Sequence, residues 1–75
     1  MESKKLYLLE YSYYTGRPVK IEWLDKSRCC NVIYCNVIEL NDNYFEVVYL
    51  KYQSEIGWKA LTETIPFSDV VAVEY

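Results

Sequence analysis

Apolar and polar side chains alternate along most of the chain, and β-branched or aromatic residues fill the apolar positions, the pattern of strands with one covered face. Residues 18–24 set Val19, Ile21 and Trp23 against Lys20 and Glu22, which predicts a half-buried strand with Trp23 anchoring the core. Residues 31–40 are apolar on nearly both faces, as expected of a central, strongly bent strand or of one with a second face covered by another subunit. Residues 44–52 place Phe45, Val47 and Tyr49 opposite Glu46, Val48 and Leu50. Residues 58–65 set Leu61 and Ile65 against Ala60, Thr62 and Thr64, and residues 70–74 form a last short strand. Residues 6–14 fit either period, and their tyrosines favour a strand, with Tyr7, Leu9, Tyr11 and Tyr13 on one side.

Turn chemistry separates these segments. Residues 15–18, Thr-Gly-Arg-Pro, combine a glycine free to take positive φ with a proline that fixes the exit. Residues 25–28 are a polar loop, 41–43 (Asn-Asp-Asn) a hairpin connection, 53–57 a second loop and 66–69 a tight turn. The resulting expectation is an all-β, SH3-like or Sm-like barrel of five or six antiparallel strands, because a sheet this small hides its edges best by curling on itself. An open meander dimerised through one face is the other solution.

Seventy-five residues make a single domain, 1–75, close to the lower limit for a core unsupported by staples. A hydrophobic fraction of 52% and an aromatic fraction of 17% argue against disorder. No run of eighteen apolar residues exists to span a bilayer, so a soluble, cytoplasmic protein is expected. The start at Met1 resembles a signal peptide only until Glu10 interrupts the apolar stretch, and it reads as a mature N-terminus.

Charge divides the chain. Residues 1–35 carry six Lys or Arg against four Asp or Glu, a balance of +2, and residues 36–75 carry two against seven, a balance of −5. The overall −3 argues against a general nucleic-acid binder, whose affinity rests on cations displacing phosphate counterions. Cys29, Cys30 and Cys35 cannot all pair within one chain, and reduced cytosolic thiols are the simplest reading. A zinc site would need a fourth ligand from a carboxylate or a second chain, since histidine is absent, so no metal or cofactor is expected.

Residues 65–71, Ile-Pro-Phe-Ser-Asp-Val-Val, followed by Val73-Glu74, resemble the closing motif of the YolD-like family, small Sm- or SH3-like barrel proteins of bacteria and phages. Residues 8–14, Leu-Leu-Glu-Tyr-Ser-Tyr-Tyr, then Gly16-Arg17 and the strand 19–22, resemble that family's tyrosine-rich strand, turn and strand. Residues 44–50 also resemble the aromatic strand of WYL-type barrel domains, although the arginines with which those domains hold a ligand are missing, Arg17 and Arg28 being the chain's only two. The YolD-like resemblance implies a non-enzymatic accessory role beside a translesion DNA polymerase. The acidic second half implies an alternative, a phage-encoded inhibitor that blocks a basic surface of a host nucleic-acid-binding protein.

Candidate contact residues are Tyr11, Tyr13, Tyr14 and Arg17, together with Tyr44, Tyr52 and Trp58, because tyrosine, tryptophan and arginine dominate protein contacts. A second protein is the expected partner, and a homodimer is compatible with the two apolar faces of residues 31–40. Trp58 is expected to cap one end of the barrel, since an indole usually buries most of its surface. Glu46 and Glu63 stand on strands that should pair, so they are the one acid pair whose meeting would suit acid–base work; solvent-facing charge is the simpler reading. Cys35 is expected to be an inert core thiol, and Cys29 and Cys30 to be exposed.

Overall fold

A computed structural model describes residues 3–75; Met1 and the expected mature N-terminus lie outside them. Helix α1 (Ser3–Thr15) is followed by β1 (Val19–Leu24), β2 (Cys30–Leu40), β3 (Tyr44–Gln53), β4 (Gly57–Pro66), a 3-10 turn (Phe67–Asp69) and β5 (Val70–Glu74). The strands form one antiparallel sheet in the order β4-β3-β2-β1-β5. The protein is mainly β with one helix, and the sheet is open between β4 and β5. No helix among the described residues is long and apolar enough to cross a membrane.

The first segment is a correction, because residues 6–14 lie within a helix and not a strand. Its buried side chains, Leu8, Leu9 and Ser12, fall at helical spacing, one and then three positions apart. Tyr7 and Tyr14 on the remaining surface stay exposed, so the segment is apolar nearly all round and its alternation carried no directional information. Gly16, at φ 73, ends the helix by donating its N–H to the Ser12 carbonyl at 2.9 Å.

The central strand β2 buries one apolar face, through Cys35 and Val37, and leaves Val32, Tyr34 and Ile38 of the other exposed. Its first half pairs with β1, from Leu24↔Cys30 to Val19↔Cys35, and its second half pairs with β3, from Asn36↔Val48 to Leu40↔Phe45. The register shifts between Val37 and Glu39. There the buried Ser12 hydroxyl accepts a hydrogen bond from the Val37 N–H at 3.0 Å. Ser12 therefore seats the helix at this register shift and satisfies a backbone donor that would otherwise be buried without a partner.

Val19, Ile21 and Trp23 of β1, Phe45 and Val47 of β3, and Ile65 of β4 point into the core, which Leu8 and Leu9 cover from the helix side. The last strand returns to the first, with Ile21 opposite Val73 and a register shift between Glu22 and Trp23. The radius of gyration is 12.3 Å and the longest extent 40 Å. A compact chain of this length would have a radius near 11 Å. The β3–β4 hairpin continues to Gln53↔Gly57, beyond the last β2–β3 pair at Asn36↔Val48, as an arm.

Candidate functional site

Pairing between β3 and β4 is continuous and without bulges from Tyr44↔Pro66 to Gln53↔Gly57. The tip is closed by the Ile56 N–H donating to the Gln53 carbonyl at 3.0 Å, and Gly57 at φ 86 turns the chain back. Directly opposed residues share a face, so this register fixes which side chains meet.

Near the body, the inner face carries Phe45, Val47 and Ile65, and the outer face carries Glu46 opposite Thr64. Beyond Val48 and Tyr49 the sidedness inverts. The inner face becomes Lys51 opposite Lys59, and the outer face becomes Leu50 opposite Ala60 and Tyr52 opposite Trp58. Leu50 is 68% exposed, Tyr52 60% and Trp58 70%. The Tyr52 and Trp58 rings pack edge to face, 5.5 Å apart at 64°. This pairing orders both rings while leaving most of their surface in water.

Trp58 thus does not cap the core, a correction that follows from register: it stands on the outer face of a ribbon that has already left the body. At the foot of the same face, Tyr34, Asn36, Val48, Tyr49 and Leu50 line an open groove of about 360 Å3. Tyr34 is exposed and continues the apolar strip from β3 onto β2, since Asn36 opposes Val48. Leu50 and Tyr34 were not singled out from the sequence; the signal available was the alternation Val48, Leu50, Tyr52 on one side of β3.

The remaining candidates lie elsewhere. Tyr44, at the first position of β3 opposite Pro66, is part-exposed at the foot of the arm. Tyr11 is half-buried and packs edge-on against Tyr75, ring centroids 5.3 Å apart. Tyr13 and Tyr14 touch each other at 5.0 Å beside the helix end, with Arg17 exposed just beyond it. Tyr14 also borders a groove of about 520 Å3 between α1 and the β2–β3 turn, lined by Leu6, Glu10, Leu40, Asp42 and Phe67. The candidates therefore divide between a helix-end cluster and the arm.

The charges and thiols follow the same geometry. Glu46 opposes Thr64 and Glu63 opposes Val47, so these two carboxylates occupy different faces of the hairpin and do not meet. Glu39 is the residue that stands opposite another acid, Glu46. Cys29 and Cys30 are exposed and Cys35 is buried. Five positions of extended strand hold Cys35 roughly 17 Å from Cys30. No group of three or more potential metal ligands forms among the described residues.

The Cys30 thiol donates to Glu22 Oε1 at 2.9 Å, and this bond raises its pKa. Burial pushes the Cys35 thiol up to about 12. In the β1–β2 loop, Asp25 accepts from Asn31 Nδ2 at 3.1 Å and from the Cys29 and Ser27 N–H groups at 3.0 and 2.9 Å, which hold its carboxyl below the usual range. Arg28, at φ 65, donates its N–H to the Asp25 backbone carbonyl at 2.9 Å.

No family model, no curated protein and no solved structure matches this chain.

Proposed function

We propose that the protein is a non-enzymatic protein-interaction module, built on a small SH3-like or Sm-like barrel, that binds its partner through the outer face of the β3–β4 arm. The barrel reading is supported by the last strand returning to the first after a 3-10 turn and by β2 serving both halves of the sheet. The observation that carries the functional reading is the Tyr52–Trp58 pair, ordered by mutual packing yet mostly exposed beside Leu50. Rigid aromatic residues on an ordered ribbon lose little entropy on binding and are the residue types that dominate contact energy. The inverted sidedness adds a reason: apolar residues on the water-facing side are costly to keep unless something covers them.

The YolD-like resemblance supplies a partner class, a translesion DNA polymerase in a bacterial cytoplasm. Affinity purification from DNA-damaged cells tests both parts at once. Polymerase should be recovered with the natural chain and with a Tyr13→Ala/Tyr14→Ala variant, and lost with Tyr52→Ala/Trp58→Ala. Recovery of no polymerase by any chain would overturn the partner, and equal recovery by all three would overturn the arm.

One observation favours a second reading, an inhibitor that presents acidic surface to a basic site. Glu39 and Glu46 are directly opposed, an arrangement that costs free energy unless a cation lies over it. Binding of that kind weakens steeply between low and physiological ionic strength, whereas binding through Tyr52 and Trp58 hardly responds.

A further inference from the structure

Strand β4 is one edge of the sheet, ten residues from Gly57 to Pro66, paired to β3 without a bulge and with proline only at its last position. Natural edges are usually protected by brevity, bulges, prolines or charge. The opposite edge, β5, has five residues and a register shift beside it. The charges on β4 are Lys59 and Glu63, which lie symmetrically about Leu61, and residues 23–27 border the strand across a groove at Glu63, Thr64 and Pro66.

We infer that β4 pairs antiparallel with β4 of a second copy of this chain, in an isologous register centred on Leu61. A two-fold axis through a residue of the strand keeps inner face joined to inner face. Centred on Ala60 or Thr62, such a register sets Lys59 against Leu61 or Ile65. Centred on Leu61, it sets Lys59 against Glu63 of the partner, and does so twice.

That pairing accounts for an arrangement the single chain leaves unfavourable. Lys51 and Lys59 are directly opposed on the inner face of the arm, where like charges repel. In the dimer the row reads Lys51, Lys59, partner's Glu63, partner's Val47, so the added carboxylate offsets one of the two positive charges. An edge lysine that discourages other strands thereby becomes selective for this one. The row at the axis is Tyr49, Leu61, then the same two residues of the partner; both are half-buried in the single chain and gain cover. On the other face Thr62 meets the partner's Ala60.

This surface uses the β4 backbone and leaves Tyr52 and Trp58 on the outer face, with Trp58 beside the partner's Thr64 at the margin of the new pairing. Two five-stranded sheets become one continuous sheet carrying two such faces.

Sedimentation equilibrium on the full chain, from micromolar to millimolar at low salt, should show 9.0 kDa chains converting to pairs. Lys59→Glu and Glu63→Lys should each weaken pairing about tenfold or more, and the double exchange should restore it, because two cross-strand contacts change sign and change back. Lys59→Glu also places a carboxylate opposite Lys51, so that variant keeps its arm, which circular dichroism verifies. In the natural chain, hydrogen exchange at Ala60 and Thr62 should slow as concentration rises. A chain that stays monomeric, as it would if the edge served a peptide of another protein, overturns the inference. So does an assembly larger than a dimer, a double exchange that fails to restore pairing, or a dimer whose β4 amides exchange as fast as the monomer's.

Discussion

The two ends of the β3–β4 hairpin are made from one alternating pattern and one unbroken register, yet they have opposite relations to water. At the body end Phe45, Val47 and Ile65 are fully buried on the inner face; at the tip the inner face carries Lys51 and Lys59, and the large apolar groups have crossed to the outer face. Period two decides which side chains share a face. What covers that face is decided by elements distant in sequence: Leu8, Leu9, Val19, Ile21 and Val73 share one buried cluster with Phe45, Val47 and Ile65, and no residue of the tip belongs to it. The inversion near Val48 and Tyr49 shows that the chain is patterned for both environments in turn.

The largest effect that would test this comparison is truncation at each end. Phe45→Ala should cost about 3–5 kcal/mol in urea unfolding, since it empties a fully buried aromatic site. A chain of this size has stability of the same order, so that variant should be largely unfolded at room temperature. Trp58→Ala should cost only about 0.5–1.5 kcal/mol, the worth of its edge-to-face contact with Tyr52, while removing the proposed partner contact. Equal costs at the two sites would show that Trp58 belongs to the core after all.

Next is the helix seat. Ser12→Ala leaves the Val37 N–H buried without its acceptor and should cost about 1–3 kcal/mol. Hydrogen exchange at Val37 and the helical circular dichroism signal should both report the loss. If neither moves, the helix is held by Leu8 and Leu9 alone. The tip should follow: Gly57→Ala forces an alanine to φ 86, where a Cβ meets no atom within 4 Å, so the cost is backbone strain alone, about 1–2 kcal/mol. Fluorescence of Trp58 in that variant reads whether the Tyr52 contact survives.

How much of this was legible beforehand differs by element for physical reasons. The strands from Val19 to Glu74 were legible because each has one covered face and a turn with recognisable chemistry at its ends. The Pro66–Asp69 turn before a last short strand was legible, but the pairing of that strand with β1 was not, since the segment expected to be the first strand is helix α1. Helix α1 was not legible, because Leu6, Tyr7, Tyr13 and Tyr14 leave it apolar nearly all round, and the contact that places it, Ser12 on the β2 register shift, joins residues 25 apart. Tyr52 and Trp58 were each visible as contact residues, but their pairing depended on the Gln53↔Gly57 closure, and the exposure of Trp58 depended on how far the hairpin outruns the body. The opposition of Lys51 to Lys59 depended on the same register.

The cysteines repeat the comparison between covered and uncovered positions along β2. A thiol reagent at neutral pH should modify Cys29 and Cys30 in the folded chain and leave Cys35 unreacted until denaturant is added. Glu22→Gln should speed the reaction at Cys30, because the carboxylate that holds its proton is gone. Cys35 also writes a pH dependence. Its folded pKa, about 12, lies above the ordinary 9.0. A raised value means the neutral thiol contributes its full stability below pH 9.0, and that contribution is lost as pH climbs toward 12, where the unfolded chain ionises first. Urea midpoints of the natural chain and of Cys35→Ala should therefore differ most at neutral pH and converge above pH 9.0. A gap that stays constant to pH 12 would mean that Cys35 ionises as readily in the folded chain as in the unfolded one, and that the body end of β2 is wetter than its burial implies.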